Sequence, residues 1–374
     1  MTLIDRYVAG SVLTATLYGV FVLSLVLVLG NVFKEALDLL INRDVPLRYL
    51  AFFVLCVLPF SMTYTIPWAF LVALLLVFGR MSADHEFVAL RASGISLTRV
   101  CVPVLGIALL LSLFTLWINT EVAPRAESAM RNSLADMARS NPASLLAPGE
   151  VVDQFSHRRI FVEQREGRQL RNVTIVELNE KDHPTMMVRA KNATVDTSPD
   201  GRELCLTLQD AVAESRAKGR ELDVRGIRHG VSAREFLVTI SLDELVDSSL
   251  LWRPLRTYPV GELFGFLSRD LEAEEWPTRT SVRTEISKRF SLAVASLAFA
   301  LVAMPLGILA QRRETSVGFA ISLVVAFSYF FFVALSHSMQ NNAAFHPYLL
   351  LWVPNILYIG LGLWLTLRVD QRTS

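Results

Sequence analysis

The chain has 374 residues, 52% hydrophobic and 19% charged, with a mean hydropathy of +0.42 and a formal net charge of +1. A charged fraction below the roughly 25% of soluble domains points toward a membrane, and the near-neutral balance offers no footprint for a nucleic acid. The three cysteines, Cys56, Cys101 and Cys205, are odd in number and far apart. They exclude a disulfide framework and a cysteine-built metal site, and read as small buried hydrophobes.

A bilayer core about 30 Å thick needs about 20 apolar residues as a helix. Tyr7 to Phe33 is 27 residues without a charge, one span, too long for the core of a signal peptide. Lys34 closes it, followed by a short loop carrying Arg43 and Arg48. Tyr49 to Gly79, 31 uncharged residues interrupted by Pro59 and Pro67, is a second span. Val100 to Thr120 is the third, with 21 uncharged residues. Between the second and third lies a short charged stretch, Gly79 to Ser96, that cannot remain in lipid and reads as a protruding helix over about 82–93. Ser82 is placed to cap its start and Gly94 to end it. Ala83, Phe87 and Leu90 fall on one face, and Asp84 and Arg91 on another.

Residues 121–283 are polar and too many for a structureless loop. Arg159–Glu163, Asn172–Leu178 and Glu203–Leu208 have strand character, with turn signals at Pro199-Asp-Gly201 and Lys218-Gly219. This predicts an antiparallel sandwich, jelly roll or open barrel, flanked by helices over Pro124–Ala138 and Val260–Glu274. Phe290 to Gln311 is a fourth span, preceded by Glu285 and Arg289, which stand four apart as a helical ion pair. Thr315 to Leu367 has 53 residues with no Asp, Glu, Lys or Arg, and a polar turn over 336–347 divides it into two more spans.

The fold class expected is therefore an α-helical membrane protein with six transmembrane helices and an inserted extracytoplasmic antiparallel β domain, jelly-roll-like. Its parts are residues 1–120, 121–283 and 284–374. The short loops of one side hold eight Lys and Arg, those of the other three, which places both termini and the 82–93 helix in the cytoplasm. Chemistry is scarce. There is no Gly-x-x-x-x-Gly-Lys phosphate loop and no Gly-x-Ser-x-Gly elbow, and His85-Glu86 meets Ala89 where a zinc protease needs a second histidine. No cofactor, no metal and no catalytic residue is expected. A transporter subunit powered elsewhere fits, as does an envelope receptor or scaffold whose β domain binds a ligand.

Three blocks resemble the lipopolysaccharide-export permeases LptF and LptG, the YjgP/YjgQ family. The first is Leu76 through Ser96, with Asp84-His-Glu-Phe87 at its centre. The second is Asn141-Pro-Ala-Ser-Leu-Leu-Ala-Pro-Gly149. The third joins Glu285-x-x-x-Arg289, Pro305-Leu-Gly-Ile308, Arg313-Glu-Thr-Ser-Val-Gly-Phe319 and Trp352-Val-Pro-Asn355. The resemblance implies a heterodimer with a second permease of the family and a cytoplasmic ABC ATPase dimer that hydrolyses the ATP. It also implies a periplasmic β-jellyroll bridge that receives lipopolysaccharide lifted from the bacterial inner membrane. It makes the helix around Glu86 the coupling helix, with Asp84, Glu86, Phe87, Leu90 and Arg91 toward the ATPase. It sets Lys34 near the lipid phosphates, and the charges of Arg43 and Arg48 in the loop that follows suit phosphates as well. Glu285 and Arg289 are left as a structural ion pair.

Overall fold

The computed structural model describes residues 3–42, 47–140, 146, 148–149, 151–155, 158–179, 183–198, 203–216, 227–241, 254–268, 277–309 and 315–371. The chain forms two compact units. Met1–Asn31, Phe53–Ser128 and Pro254–Ser374 make one, and Val32–Phe52 with Ala129–Arg253 the other.

Uncharged runs in a bilayer must satisfy their backbone internally, and here each does so as a helix. The helices are α1 (Leu3–Asn42), α2 (Leu47–Ala83), the short α3 (Glu86–Ala92), α4 (Leu97–Trp117) and, after a π turn at Ile118–Val122, α5 (Ala123–Ser140). Beyond the strands come a 3-10 turn (Leu255–Thr257), α6 (Val260–Leu267), α7 (Arg279–Leu309), α8 (Thr315–Ser338), α9 (Pro347–Leu350) and α10 (Val353–Gln371). Among the described residues, five helices are long and apolar enough to cross a membrane. There are six if the pair spanning Ala343–Leu350 and Val353–Arg368, bent by 44°, is one broken span. Pro354 sits just past that break, and its missing N–H cannot serve the carbonyl one turn earlier.

In the first unit, α7 is the hub along which α4 and α10 pack. Its buried face is built of small residues, Ser291, Ala295, Ser296, Ala298, Ala300 and Ala303, which let neighbouring backbones come close. At Gly307 a Cβ would stand 2.7 Å from the Cβ of Phe78 on α2. A polar knot ties the helices: the Ser291 hydroxyl lies 3.0 Å from that of Tyr329 on α8, and Asn355 Nδ2 on α10 donates to Ser291 Oγ at 2.9 Å. In lipid such groups have no water to turn to, so they fix which faces of the helices meet.

The second unit holds a six-stranded antiparallel sheet in the order β1-β2-β3-β4-β5-β6. The strands are β1 (Val151–Phe155), β2 (Arg158–Glu166), β3 (Gln169–Leu178), β4 (Pro184–Thr197), β5 (Glu203–Arg216) and β6 (Ile227–Ser241). One face carries the core: Ile160 and Val162, Leu170, Val173 and Ile175, Val188, Ala190, Ala193 and Val195, and Leu204, Leu206, Leu208 and Ala211. The inward residues skip two positions instead of one at 171–172, 191–192 and 209–210, and each of those pairs is exposed. The slips line up. Val162 pairs with Val173 and Gln164 with Arg171, Arg171 with Asn192, and Asn192 with Gln209. Asn172 and Asp210 take left-handed conformations in this row, with φ of 51° and 52°. A crease thus crosses the sheet, and the extra residue in each strand keeps apolar side chains on the same face on both sides of it. The turn signals at 199–201 and 218–219 lie outside the described residues.

Candidate functional site

The charged stretch after α2 forms its helix later than the sequence places it. Ser82 does not cap α3. The helical bonding of α2 continues through Asp84 N to Arg80 O at 2.9 Å, and the Ser82 hydroxyl donates to the carbonyl of Ile308 on α7 at 2.8 Å. The chain turns at His85, which is left-handed with φ 57°, and α3 starts at Glu86. Its end is closed as glycine allows. Gly94 has φ +81°, its N–H reaches Arg91 O at 2.8 Å, and Ile95 N reaches Leu90 O at 3.0 Å.

This geometry sorts the residues expected at the coupling helix. Phe87 is 6% exposed, its ring 5.7 Å from that of Phe78, so it fastens α3 to the bundle and faces inward. Leu90 is half-buried against the same apolar cluster. Asp84 and Val88 are exposed, and Arg91 is half-exposed. Glu86 is half-buried and accepts a hydrogen bond from the Tyr7 hydroxyl on α1 at 3.1 Å. Arg43 lies outside the described residues. Lys34 and Arg48 lie on the backbones of α1 and α2, with their side chains outside the description.

A second constellation occupies the other end of α7. Arg289, its side chain 5% exposed, donates from Nε to Glu285 Oε1 at 3.3 Å and from Nη1 to Tyr258 O at 2.7 Å. Its Nη2 serves Leu255 O and Arg256 O, both at 3.1 Å. Glu285 is held on its other oxygen by Lys288 Nζ at 3.4 Å. The planar fork of a guanidinium is what lets one side chain gather three carbonyls of a tight turn and a carboxylate together. Around it, Arg256 pairs with Glu127 at 2.9 Å, and Ser128 Oγ donates to Thr257 O at 2.9 Å. So the segment entering the strand region, at the start of α5, and the segment leaving it, at 254–258, are pinned to each other and to α7.

Asn119 lies in the π turn. Its Nδ2 donates to Arg289 O at 3.2 Å, while its Oδ1 is buried and without a hydrogen-bond partner. It lines a cavity of ≈ 40 Å³ with Tyr64, Glu127, Lys288 and Arg289. That space admits water-sized molecules rather than a lipid. From Arg289 to Ile308 along α7 is about 28 Å at the helical rise, so the clamp and the α3 brace stand a bilayer core apart on one helix. Nothing in the sequence signals Tyr7, Arg256 or Asn119. Each acts on a partner distant in the chain, which periodicity cannot register.

No three His, Cys, Asp or Glu side chains converge as a metal cage among the described residues. A bundle of helices long and apolar enough to cross a membrane, an inserted antiparallel sheet and a short braced helix describe a multi-pass membrane protein. Comparison with family models makes the assignment specific. The chain belongs to the lipopolysaccharide export system permease LptF/LptG family, whose model matches residues 6–368. No curated protein matches it.

Proposed function

We infer that this chain is the permease subunit of an ABC-type exporter that lifts lipopolysaccharide out of the inner membrane and hands it to a periplasmic bridge. The observation that carries the reading is α3. Phe87 and Ser82 hold it to the bundle, while Asp84 and Val88 remain exposed beside a half-buried Glu86. A helix fixed on one side and exposed on the other is suited to receive force from a partner. In this reading residues 1–120 and 284–374 form the membrane part and 121–283 the periplasmic domain. Both termini and α3 are cytoplasmic, as the excess of Lys and Arg in the short loops of that side supports.

The partners are a second permease of the family, a cytoplasmic ABC ATPase dimer contacting Asp84, Glu86, Leu90 and Arg91, and a periplasmic bridge of similar strand architecture. The sheet acts as a jelly-roll-like trough whose apolar face takes acyl chains. The basic residues Lys34, Arg43 and Arg48 suit the lipid phosphates, each charge contributing about 1 kcal/mol near an anionic surface. Glu285 and Arg289, with Tyr258 and the 255–257 turn, transmit movement of α7 to the segments that enter and leave the periplasmic domain.

The test is affinity purification of the native chain in mild detergent. An ATPase and a second permease should accompany it. Glu86→Lys should release the ATPase while the permease stays inserted and folded, because losing one partner of a desolvated charge contact costs about 2–5 kcal/mol. A native chain that retains neither partner, yet binds an envelope ligand through its sheet, is the receptor or scaffold instead. Normal retention of the ATPase by Glu86→Lys removes Glu86 from the interface.

A further inference from the structure

The contact between Tyr7 and Glu86 joins the start of the first membrane helix to the first turn of α3, across 79 positions of sequence. It does not stand alone. One residue on, Val8 is fully buried in the apolar cluster that also contains Phe78, Met81 and Phe87, and Ile4 packs on the same cluster. The root of α1 is therefore held to α3 by a hydroxyl–carboxylate bond and by packing at once. Further along, α1 is attached by a narrow stripe. Val12, Thr16, Ser24 and Val28 are buried, Gly19 faces Ala69 closely, and the Ser24 hydroxyl lies 2.9 Å from that of Thr65 on α2. On the side away from this stripe, Leu17, Tyr18, Phe21 and Val26 are exposed. Beside the root, an open groove lined by Asp5, Ser96, Thr98 and Arg99 leaves room for the helix end to shift.

We propose that Tyr7 is a positioning residue that carries the displacement of α3 directly to α1, so that the first span moves with the ATPase-facing helix. The proposal rests on the reading of Glu86 as the coupling residue. A carboxylate has two oxygens and about four acceptor sites, so Glu86 can keep the Tyr7 hydroxyl on Oε1 while a cation of the partner engages the remainder. At 3.1 Å the O–H···O bond is at the long end of ordinary length, and together with the packing of Val8 and Ile4 it holds the helix end in step with its neighbour. Over Leu3–Gly30 α1 is the least buried of the membrane-length helices among the described residues, so a pull at its root can tilt it.

The test is Tyr7→Phe, which keeps the ring and its packing and removes only the hydroxyl. The complex of two permeases and ATPase dimer is purified and placed in phosphatidylethanolamine–phosphatidylglycerol vesicles loaded with lipopolysaccharide. ATP hydrolysis and ATP-dependent lipid release are then measured side by side. Tyr7→Phe is expected to retain the ATPase and its basal hydrolysis, and to lower lipid released per ATP hydrolysed by about threefold to tenfold, the range for loss of an ordinary hydrogen bond. An unchanged ratio overturns the proposal. A fall in yield and melting temperature with the ratio preserved also overturns it, since that is a purely structural role. If instead the native complex fails to retain an ATPase, the underlying reading of Glu86 fails, an outcome seen before Tyr7 is touched.

Discussion

Arg289 commits four of its five N–H donors to four different acceptors, three of them carbonyls of residues 255, 256 and 258. Truncating it strands those carbonyls and leaves Glu285, 15% exposed, with Lys288 as its remaining cation. Breaking a buried pair in this way typically costs about 3–5 kcal/mol, so Arg289→Ala should lower the melting temperature in detergent markedly. It should also open the 254–258 segment to protease. Arg289→Lys keeps the charge and loses the fork, so the same protease sensitivity should appear with a smaller loss of stability. An Arg289→Ala protein that melts and resists cleavage like the native one means that the turn is held by other contacts. The four-residue spacing of Glu285 and Arg289 is visible in the sequence, but the three carbonyls are not. They are backbone atoms some thirty residues upstream, brought under the guanidinium by the fold.

At the scale of elements, the close approach of α2 and α7 rests on a missing Cβ. A methyl at Gly307 meets Phe78 Cβ at 2.7 Å, whereas one at Gly360 on α10 meets nothing within 4 Å. Gly307→Ala should therefore push the two helices apart, weaken the Ser82–Ile308 bond beside it, and cost about 1–3 kcal/mol as overpacking does. Gly360→Ala should be near neutral, and thermal melting of the two variants in detergent compares them directly. Equal melting means that the helices yield without strain. The membrane helices are legible from the sequence because their signal is a lack of charge. Their ends are not, because a helix runs past the apolar run into polar residues: α1 reaches Asn42 and α7 starts at Arg279. The start of α3 was hidden for a related reason, since the Ser82 hydroxyl is taken by Ile308 from a distant helix. In the sheet, β4 and β6 escape a strict test of alternation. The crease shifts the inward phase of β4 from Val188 and Ala190 to Ala193 and Val195, so that no window across the strand shows an unbroken period of two.

For the molecule as a whole, the two faces of the sheet make different claims about where lipid travels. Leu206 is fully buried on the creased apolar face, while Phe161 alternates with the inward Ile160 and Val162 and so points from the opposite face. If acyl chains leave the membrane along the apolar face, a photo-crosslinker at Leu206 should capture lipopolysaccharide in the working complex, and one at Phe161 should capture little. If the work enters at α3, as proposed above, capture at Leu206 should require ATP and should vanish with Glu86→Lys. A lipid merely partitioning into an apolar trough has no such dependence. It would label Leu206 with or without nucleotide, since burial of an alkyl chain is favourable by about 0.8 kcal/mol per CH₂ whatever the energy source. The measurement is the ATP-dependent yield of lipid adduct at the two positions in the native and Glu86→Lys complexes. Equal yields at both faces, or a yield indifferent to ATP, would show that the sheet is not the path of export, and the strand unit would then serve as a docking platform for the bridge alone.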